Sequence, residues 1–383
     1  MNKRVYDVAV IGAGVFGTWI AYQLRQSKYK VLLMDAFGVG NSRSSSGDES
    51  RIIRFAYGPD EIYTRMAMDS LREWKRLFKK QKCPQLFQKT GVLWLGKKDD
   101  RYMTDSLRVL KRVGAKVQEL PAQALGKKYP QFDTEEVSSA LLEPENGALL
   151  GRQAVRATCD AYRDAGGKFL LGKIIPPQIK SFSALCTKNG EKISAGTFVF
   201  ACGPWLGKIF PKLLGTRLFV TRQEVFYFGA PSGMTYKPEN MPIWLHLMDD
   251  QVYGFPDLEN RGVKVAFDEH GPPFDPDIEE RLVNRDSLSR MRTYLKCRVP
   301  GLAQAPVIET RVCQYENTSN GDFLLDRHPE ADNVWLAGGG SGHGFKHGPA
   351  VGKYMCARIE GKGKPEPRFS LASKNTVQSR TVF

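Results

Sequence analysis

The N-terminal segment constrains the fold more than any other part of the chain. Residues 7–11 predict a buried β-strand, residues 18–25 continue at helical period, and residues 30–34 predict a second strand that ends at Asp35. The turn between the first strand and the helix comprises Gly12, Ala13, Gly14, Val15, Phe16 and Gly17. Strand, glycine turn, helix, strand and acid occur in the order of a dinucleotide-binding βαβ unit, so a Rossmann-type domain is predicted.

Asp35 indicates which dinucleotide such a unit would hold. It stands near the position from which a carboxylate reaches the adenosine ribose, with Ala36 beside it. A carboxylate at that point favours an unphosphorylated ribose. The ligand expected at this end of the chain is therefore NAD or FAD.

A second glycine-rich run lies near the other end of the chain. Residues 338–346 read GGGSGHGFK, follow a predicted strand at 334–337 and precede a helix-like segment. Glycines let the backbone approach a flat ligand, and a helix N-terminus offers unpaired N–H groups to negative charge. The two runs together predict one large anionic cofactor held at both ends, which fits a flavin dinucleotide. A strand at 197–201 ends in Cys202-Gly203 and resembles a flavin-domain strand whose glycine passes close to the cofactor.

The composition is that of a globular protein. The 383 residues are 42% hydrophobic and 25% charged, which suffices for two domains with their own cores. The apolar run at 8–20 is too short and too rich in glycine for a membrane span, so no membrane association is predicted. The seven cysteines are scattered without CxxC pairs, which favours a reducing, cytoplasmic location and argues against a metal site or disulfide framework.

The chain is strongly basic, with a net charge of +15 at pH 7. A surface of this kind attracts acidic ligands over long distances. Nucleic acid is not expected as a partner, because the sequence has no recognised nucleic-acid-binding signature. A solvated basic surface that steers a small anionic ligand is the simpler interpretation.

The remaining segments predict an interleaved α/β architecture. Helices are predicted at 60–80, 100–112 and 151–165, strands at 87–95, 168–171, 217–228, 263–267 and 307–315, and a loosely ordered polar tail at 361–383. We therefore expect a Rossmann-type cofactor domain (1–85, 146–215 and 325–383). It would be interleaved with an α+β substrate domain built on an antiparallel sheet (86–145 and 216–324).

Three further motifs carry a family resemblance. The run SSSGDESRIIRFAYG occupies 44–58, CQY at 313–315 is followed by DRHP at 326–329, and SGHGFK occupies 341–346. With the glycine-rich turns, they make essentially the whole chain similar to the monomeric sarcosine oxidase family, which shares the DAAO-type fold. Relatives in that family oxidise N-methyltryptophan, pipecolate and fructosyl amino acids.

The resemblance implies a particular chemistry. FAD would be attached through a cysteine thioether, and a secondary or N-alkyl amino acid with a free carboxylate would be oxidised at its C–N bond. Reoxidation by O2 would give H2O2, and the protein would be a monomer. Two enzymatic alternatives stay open, a D-amino-acid or glycine oxidase and a dehydrogenase, as does a non-enzymatic flavin-bound sensor or docking protein.

The resemblance also assigns roles to individual residues. Cys313 would bond the flavin, Lys264 would activate O2, and Arg51 would lie against the flavin ring. Arg54 and Lys346 would hold the substrate carboxylate. A guanidinium group can donate two hydrogen bonds to a carboxylate, and a lysine adds a positive charge. Further residues expected at the cofactor are Ser44, Ser45, Ile175, Gly203, Gly340, Gly342, His343, Gly344, Phe345 and Lys346. The structural alternatives are that Cys313 is a core residue of a strand and that Lys264 faces solvent.

The chain departs from the family where the substrate would bind. Asp268 stands where sarcosine oxidases carry a histidine, with His270 two positions on, and Ser45-Ser46 replace paired histidines. An acid in the pocket wall would favour a cationic or amino-bearing substrate, although Asp268 also suits a surface turn. The residues expected around the amine are Tyr253 and Tyr315, with Trp244 and Phe255 completing an aromatic cage unless they belong to the core.

Overall fold

The computed structural model of the protein describes residues 6–97, 99–178, 182–247 and 251–379. The strands in these ranges are β1 (Tyr6–Ile11), β2 (Val31–Asp35), β3 (Ser50–Ile53), β4 (Phe87–Gln88), β5 (Val92–Gly96), β6 (Gln118–Leu120), β7 (Ser139–Glu143), β8 (Gly147–Leu150), β9 (Lys168–Leu171), β10 (Ala184–Cys186), β11 (Lys192–Phe200), β12 (Leu218–Phe228), β13 (Ile243–Leu247), β14 (Gln251–Phe255), β15 (Val263–Phe267), β16 (Val307–Thr318), β17 (Leu324–Arg327) and β18 (Val334–Gly338). The α-helices in the same ranges are α1 (Val15–Gln26), α2 (Glu61–Lys80), α3 (Arg101–Arg112), α4 (Ala122–Lys128), α5 (Gly151–Asp164), α6 (Leu206–Ile209), α7 (Pro211–Leu214), α8 (Arg285–Arg298) and α9 (Gly348–Ile359).

The predicted Rossmann-type sheet is present and has seven strands. Its order is β17-β18-β11-β1-β2-β9, with β10 paired to β11. β1 runs parallel to both β2 and β11, β11 is parallel to β18, and β17 is antiparallel at the edge. Most side chains of β1 and β2 are buried, as expected for strands covered on both faces. The carboxyl ends of β1, β11 and β18 therefore meet at one edge, where parallel sheets bind ligands.

A second sheet of eight strands packs beside the first. Its order is β16-β12-β15-β14-β13-β5-β7-β6, and its pairs are antiparallel except for the parallel pair β13 and β5. β12 and β16 pair along their whole length, from Leu218 opposite Thr318 to Phe228 opposite Val307. The predicted fold class, a Rossmann-type domain combined with an antiparallel-sheet domain, is confirmed. The domain boundaries given above stay a prediction.

A small sheet that the sequence did not predict joins distant parts of the chain. β3 pairs with β8 in antiparallel register, with Arg51 opposite Leu149, and β4 pairs with β8 on its other side. This pairing fixes the segment 50–53 against the start of α5. The residues that follow β3, including Arg54, are thereby held in place.

One local prediction is wrong. The strand expected at 87–95 is divided into β4 and β5, because Gly91 has a φ of 75°, in the left-handed region, and turns the chain. The helical segment expected after the second glycine run is present: it begins as a 3-10 turn at Phe345–His347 and continues as α9 from Gly348.

The C-terminal segment is packed and not loosely ordered as predicted. Arg368 forms ion pairs with Asp60 (2.6 Å) and Asp322 (2.8 Å). Lys374 is buried and donates to the Arg368 carbonyl oxygen at 2.6 Å. Phe369 and Leu371 are buried as well. The last four residues of the predicted tail, 380–383, lie outside the described ranges.

None of the helices within the described ranges combines the length and the apolar character needed to cross a membrane. Nor do those ranges contain a cluster of three or more His, Cys, Asp or Glu side chains arranged to hold a metal ion.

Candidate functional site

A long cleft lies at the carboxyl edge of the seven-stranded sheet, with a cavity volume of about 410 Å³. The predicted cofactor residues that line it are Gly12, Gly14, Val15, Phe16, Asp35, Ala36, Ser44, Ser45, Arg51, Gly203, Gly340, Gly342, Gly344 and Phe345. Ala13 and Gly17 lie in the first turn without lining the cleft. Ile175 is 49% exposed, and its neighbours Ile174 and Pro176 line the cleft in its place.

The first glycine turn is packed so tightly that side chains would not fit. Gly12 has a φ of 105°, and a Cβ on it would lie 2.2 Å from the Ala201 carbonyl oxygen. A Cβ on Gly17 would lie 1.8 Å from the Gly12 carbonyl oxygen. The turn therefore presses α1 against the end of β11, and α1 begins without a side-chain cap at Gly14. Its N-terminus opens onto the cleft, as required for binding a phosphate.

Asp35 braces this turn from the end of β2. Its carboxylate accepts hydrogen bonds from the backbone N–H of Ala13 (2.8 Å), Phe37 (2.7 Å) and Gly38 (3.0 Å). Burial raises the pKa of Asp35, and these three N–H groups act in the opposite direction. The predicted ribose partner is thus also a structural brace.

The cleft suits a flavin dinucleotide. It is lined by glycines at both ends and contains Ser45, whose buried Oγ has no hydrogen-bond partner within the described ranges. Buried hydroxyl groups are rarely left unpaired, so a polar ligand is the natural partner of Ser45. At the far end, Ser341 adopts a φ of 45° and Gly342 a φ of 79°, which folds the second glycine run around the cleft. The residues present therefore fit FAD.

A smaller cavity of about 70 Å³ adjoins the cleft. Both are lined by Arg51, Tyr315, Gly342 and Phe345, so the two spaces meet at these side chains. The other predicted site residues that line the smaller cavity are Arg54, Tyr253, Lys264, Asp268, Cys313, His343 and Lys346. Most of the residues assigned to substrate and oxygen therefore surround one cavity, although they come from distant parts of the chain.

Lys264 is buried and paired, so the outward-facing alternative is excluded. Its Nζ lies 2.5 Å from Asp48 Oδ2 and donates to the Ser50 carbonyl oxygen at 2.9 Å. Burial lowers the pKa of Lys264 to about 8, although the Asp48 charge raises it. The pKa of Asp48 is held well below its usual range by Lys264 and Arg51, against the effect of burial.

Arg51 links the Asp48 ion pair to Cys313. Its guanidinium pairs with Asp48 Oδ2 at 2.5 Å and donates to the Ser45 carbonyl oxygen at 2.7 Å. It also lies 3.6 Å from the Cys313 sulfur and 5.9 Å from the centre of the Phe345 ring. Cys313 is partly exposed, not a sealed core residue.

Arg54 sits in an aromatic pocket. Its guanidinium carbon lies 4.4 Å from the Tyr57 ring centre and 5.0 Å from that of Trp94, and it donates to the Tyr102 hydroxyl at 3.3 Å. The segment that carries it is held by Glu143, which accepts from the Phe55 N–H at 2.7 Å. The stacking and the buried carboxylate fix the direction in which Arg54 points.

Lys346 is also buried and held by side chains behind the cavity. Its Nζ donates to the Tyr57 hydroxyl and to the His343 carbonyl oxygen, both at 2.9 Å. The Tyr57 hydroxyl in turn lies 2.7 Å from His347 Nε2. Burial and the nearby cations, Lys346 first, lower the pKa of His347 far below its usual range, so this imidazole is neutral.

The residues expected around the substrate amine are only partly found at the cavity. Asp268 lines the cavity, and its Oδ1 accepts a hydrogen bond from the Tyr315 hydroxyl at 3.2 Å. Tyr253 and Phe255 line the cavity as predicted. Trp244 does not, because it lies on the opposite face of β13, where its Nε1 is 3.2 Å from the Tyr294 hydroxyl in the core.

Fold and site together define an FAD-dependent amine oxidoreductase. The chain belongs to the family described as FAD dependent oxidoreductase, whose model matches residues 7–358. It is 31% identical to monomeric sarcosine oxidase of Bacillus sp. (strain B-0618), over 98% of this chain and 99% of that protein. It is also 31% identical to peroxisomal sarcosine oxidase of Homo sapiens, over 97% of this chain and 95% of that protein. The predicted family resemblance is confirmed.

Solved structures agree on the fold. The crystal structure of L-proline dehydrogenase from P. horikoshii matches with a TM-score of 0.83 at 20% identity, covering 96% of this chain and 97% of that one. Fructosamine oxidase from Aspergillus fumigatus (Amadoriase II) matches with a TM-score of 0.79 at 23% identity, covering 96% and 89%.

Several residues of the site were not predicted from the sequence. Asp48 and Tyr57 fall inside the 44–58 run, and an acid placed close to two arginines was a signal for an ion pair. Glu143 had no such signal, because the backbone N–H groups it holds lie far away in sequence. The sequence carried no signal for Glu316 either, since its hydrogen-bond partners belong to the second glycine run.

Proposed function

We propose that the protein is an FAD-dependent oxidase of a secondary or N-alkyl amino acid, similar in its reaction to sarcosine oxidase. The substrate amine would lose two electrons and two protons, so that its C–N single bond becomes the C=N bond of an imine. Hydrolysis of the imine would yield an amine and an aldehyde or keto product. The observation that supports this most strongly is the presence of two buried cations, Arg54 and Lys346, in one cavity beside the cofactor cleft.

Substrate binding would depend on these two cations. A carboxylate between Arg54 and Lys346 would gain charge-assisted hydrogen bonds in a site largely shielded from water. The stacking of Arg54 on Tyr57 and the hydrogen bond from Lys346 to the same tyrosine would hold both cations in position. Asp268 and Tyr315, which also line the cavity, would face the amine and disfavour a second negative charge.

When bound, FAD would supply the two-electron acceptor, and its reoxidation by O2 would give H2O2. The contribution of the chain to the oxygen reaction would be the Lys264 cation, held by Asp48 near the junction of the two cavities. A fixed cation stabilises the negative charge that develops as O2 is reduced. Cys313 would carry the flavin covalently, assisted by the nearby Arg51.

The experiment that tests the reaction class is an anaerobic screen of N-alkyl and cyclic amino acids, followed by the loss of flavin colour. Bleaching by a carboxylate-bearing secondary amine, and H2O2 formation when air is admitted, is the expected result. Bleaching without H2O2 would indicate a dehydrogenase, and bleaching by primary D-amino acids or glycine alone would indicate that alternative oxidase class. No bleaching by any amine would favour a flavin-bound sensor or docking protein.

We further propose a cytoplasmic monomer. The absence of CxxC pairs in the sequence supports the reducing compartment. Sedimentation of the holoprotein at several concentrations would test the monomer, since a mass that rises with concentration contradicts it.

A further inference from the structure

An irregular segment between β15 and α8, residues 272–282, reaches the cofactor cleft. We call this segment the strap. It follows a strand of the eight-stranded sheet, whereas the cleft lies at the edge of the seven-stranded sheet. Asp277, near the middle of the strap, nevertheless lines the cleft together with the first glycine turn. The strap therefore forms part of the cofactor site although it belongs to the other half of the molecule.

On one side of the cleft, the strap contacts the segment that follows β11. Trp205 Nε1 donates to Asp277 Oδ1 at 2.9 Å. Lys208, on α6, pairs with both acids of the strap, at 2.5 Å from Asp275 Oδ1 and 2.8 Å from Asp277 Oδ2. Trp205 and Lys208 also line the cleft. These contacts join the middle of the strap to one wall of the cofactor site.

On the other side of the cleft, the strap contacts segments that follow β2 and β9. Arg43 donates to the Pro276 carbonyl oxygen at 3.1 Å, and Lys173 Nζ lies 3.9 Å from Asp277 Oδ1. In the sheet, β1 lies between β11 on one side and β2 and β9 on the other. Contacts on both sides of β1 mean that the strap crosses over the carboxyl end of this strand, where the first glycine turn lies.

Both ends of the strap are anchored firmly to the eight-stranded sheet. Phe274 is buried, and its backbone N–H donates to the Val220 carbonyl oxygen of β12 at 2.9 Å. At the other end, Arg281 donates to the Val312 carbonyl oxygen at 2.9 Å and to Gln314 Oε1 at 2.7 Å, both on β16. The ends of the strap are therefore fixed by a buried ring and by hydrogen bonds to strands.

The middle of the strap is held by exposed groups. The side chain of Lys208 is 41% exposed, and those of Asp275 and Asp277 are 33% and 31% exposed. Exposed ion pairs contribute little to stability, because water and salt screen them. Segments held by such contacts open locally without unfolding of the whole protein. The middle of the strap can therefore lift from the cleft while its ends stay in place.

We propose that the strap is a gate for FAD and that Lys208 and Asp277 form its latch. The first glycine turn and Asp277 line the same cleft, so a dinucleotide that fills the cleft lies between the sheet and the strap. Entry and release of FAD would both require the latch to open. The latch then sets the rate of cofactor exchange, whereas the affinity for FAD depends on the rest of the cleft. This role is independent of which amine the protein oxidises.

The test measures the exchange of FAD and not turnover. All proteins carry Cys313→Ala, so that the flavin can dissociate whether or not it is normally attached. Release is followed by the rise of FAD fluorescence after dilution of the holoprotein, and binding by its loss after FAD is mixed with apoprotein. The latch variants are Lys208→Met and Asp277→Asn. Lys212→Met is the matched control, because it removes an exposed lysine charge from the neighbouring α7.

Both latch variants should release FAD faster and also bind it faster. A latch of exposed ion pairs predicts an increase of about two- to fivefold in each rate. Because both rates rise by a similar factor, the dissociation constant should change little. Lys212→Met should leave both rates unchanged. Thermal unfolding of the holoproteins checks that the variants keep the fold, and Asp277→Asn decides the matter even if Lys208→Met does not fold.

Three results would overturn the proposal. Faster release without faster binding in both variants would mean that the two side chains contact FAD and do not gate it. Faster release in Lys208→Met combined with slower release in Asp277→Asn would mean that Lys208 binds the FAD phosphates and that Asp277 competes for it. Unchanged rates in both variants would mean that FAD enters and leaves without opening of the strap.

Discussion

Asp48 and Lys264 form a buried ion pair that joins a loop to the eight-stranded sheet, with 2.5 Å between Oδ2 and Nζ. Lys264 belongs to β15 of the eight-stranded sheet, whereas Asp48 lies in the loop before β3. Asp48 also accepts the Tyr227 hydroxyl at 3.0 Å and pairs with Arg51. This acid therefore sets the charge and the position of the cation proposed to act on oxygen.

Asp48→Asn should move the pH limit of the oxygen reaction to lower pH. A lysine with a lowered pKa is charged below that pKa and loses its charge as the pH rises through it, here near 8. Asp48 raises the pKa of Lys264, so its neutralisation lowers the pKa further, and the alkaline limb should shift by at least about one unit. Stopped-flow reoxidation rates across pH measure this. Tyr227→Phe, which keeps the Asp48 charge, should leave the limb in place, and an unshifted limb in Asp48→Asn would contradict the role.

Lys264→Met should separate the two half-reactions. The cation is proposed to act after the substrate has been oxidised, so anaerobic flavin reduction should be retained far better than reoxidation by O2. Lys264→Arg keeps a positive charge, so its rate of reoxidation by O2 should lie between those of the wild-type protein and Lys264→Met. Stopped-flow absorbance follows both steps, and an unchanged oxygen reaction in Lys264→Met would assign this lysine a structural role.

Cys313→Ala should release the flavin on denaturation. The wild-type protein should retain its yellow colour after acid precipitation, and its intact mass should equal the apoprotein plus FAD. Cys202→Ser is the matched control, because Cys202 also lines the cleft while burial holds its pKa well above the usual value. Quantitative release of free FAD from denatured wild-type protein would refute covalent attachment.

Arg54→Ala and Lys346→Ala should each weaken binding of carboxylate ligands. The loss of a charge-assisted hydrogen bond costs about 1.5–3 kcal/mol, roughly ten- to a hundredfold in affinity. An amine without the carboxylate should bind almost equally to wild-type and variant proteins. Flavin absorbance titrations compare the two ligands, and equal losses for both would mean that these residues support the fold or the flavin.

Arg368→Ala should lower the free energy of unfolding by about 1–3 kcal/mol, because the buried Asp322 loses its cation. Arg65→Ala removes an exposed i,i+4 pair with Glu61 and should leave the free energy of unfolding almost unchanged. Urea unfolding of the three proteins measures the difference. Equal stabilities would mean that the C-terminal segment contributes little to the fold.

The sequence predicted those parts of the molecule that are formed by residues close together in the chain. The βαβ unit from Tyr6 to Asp35 is such a case, because its strand, glycine turn, helix, strand and acid follow one another directly in the chain. The hydrogen bonds by which Asp35 braces the turn were not predicted. The partners of Asp48 and Glu143 could not be predicted, since they are brought together by pairing between strands far apart in the chain. The sequence left both the cavity and the core open for Trp244, because residues on a strand alternate and the sequence does not reveal which set faces the cavity; the structure places Trp244 in the core.

The strand order also determines when this protein can fold during synthesis. β1 can pair with β2 early, but its other edge is filled by β11 at Lys192–Phe200, and β11 is in turn covered by β18 at Val334–Gly338. A nascent chain therefore exposes an apolar strand edge until β18 has left the ribosome. Such edges invite pairing between chains. Chaperones that bind nascent chains should raise the soluble yield, whereas early termination before β18 should give aggregates.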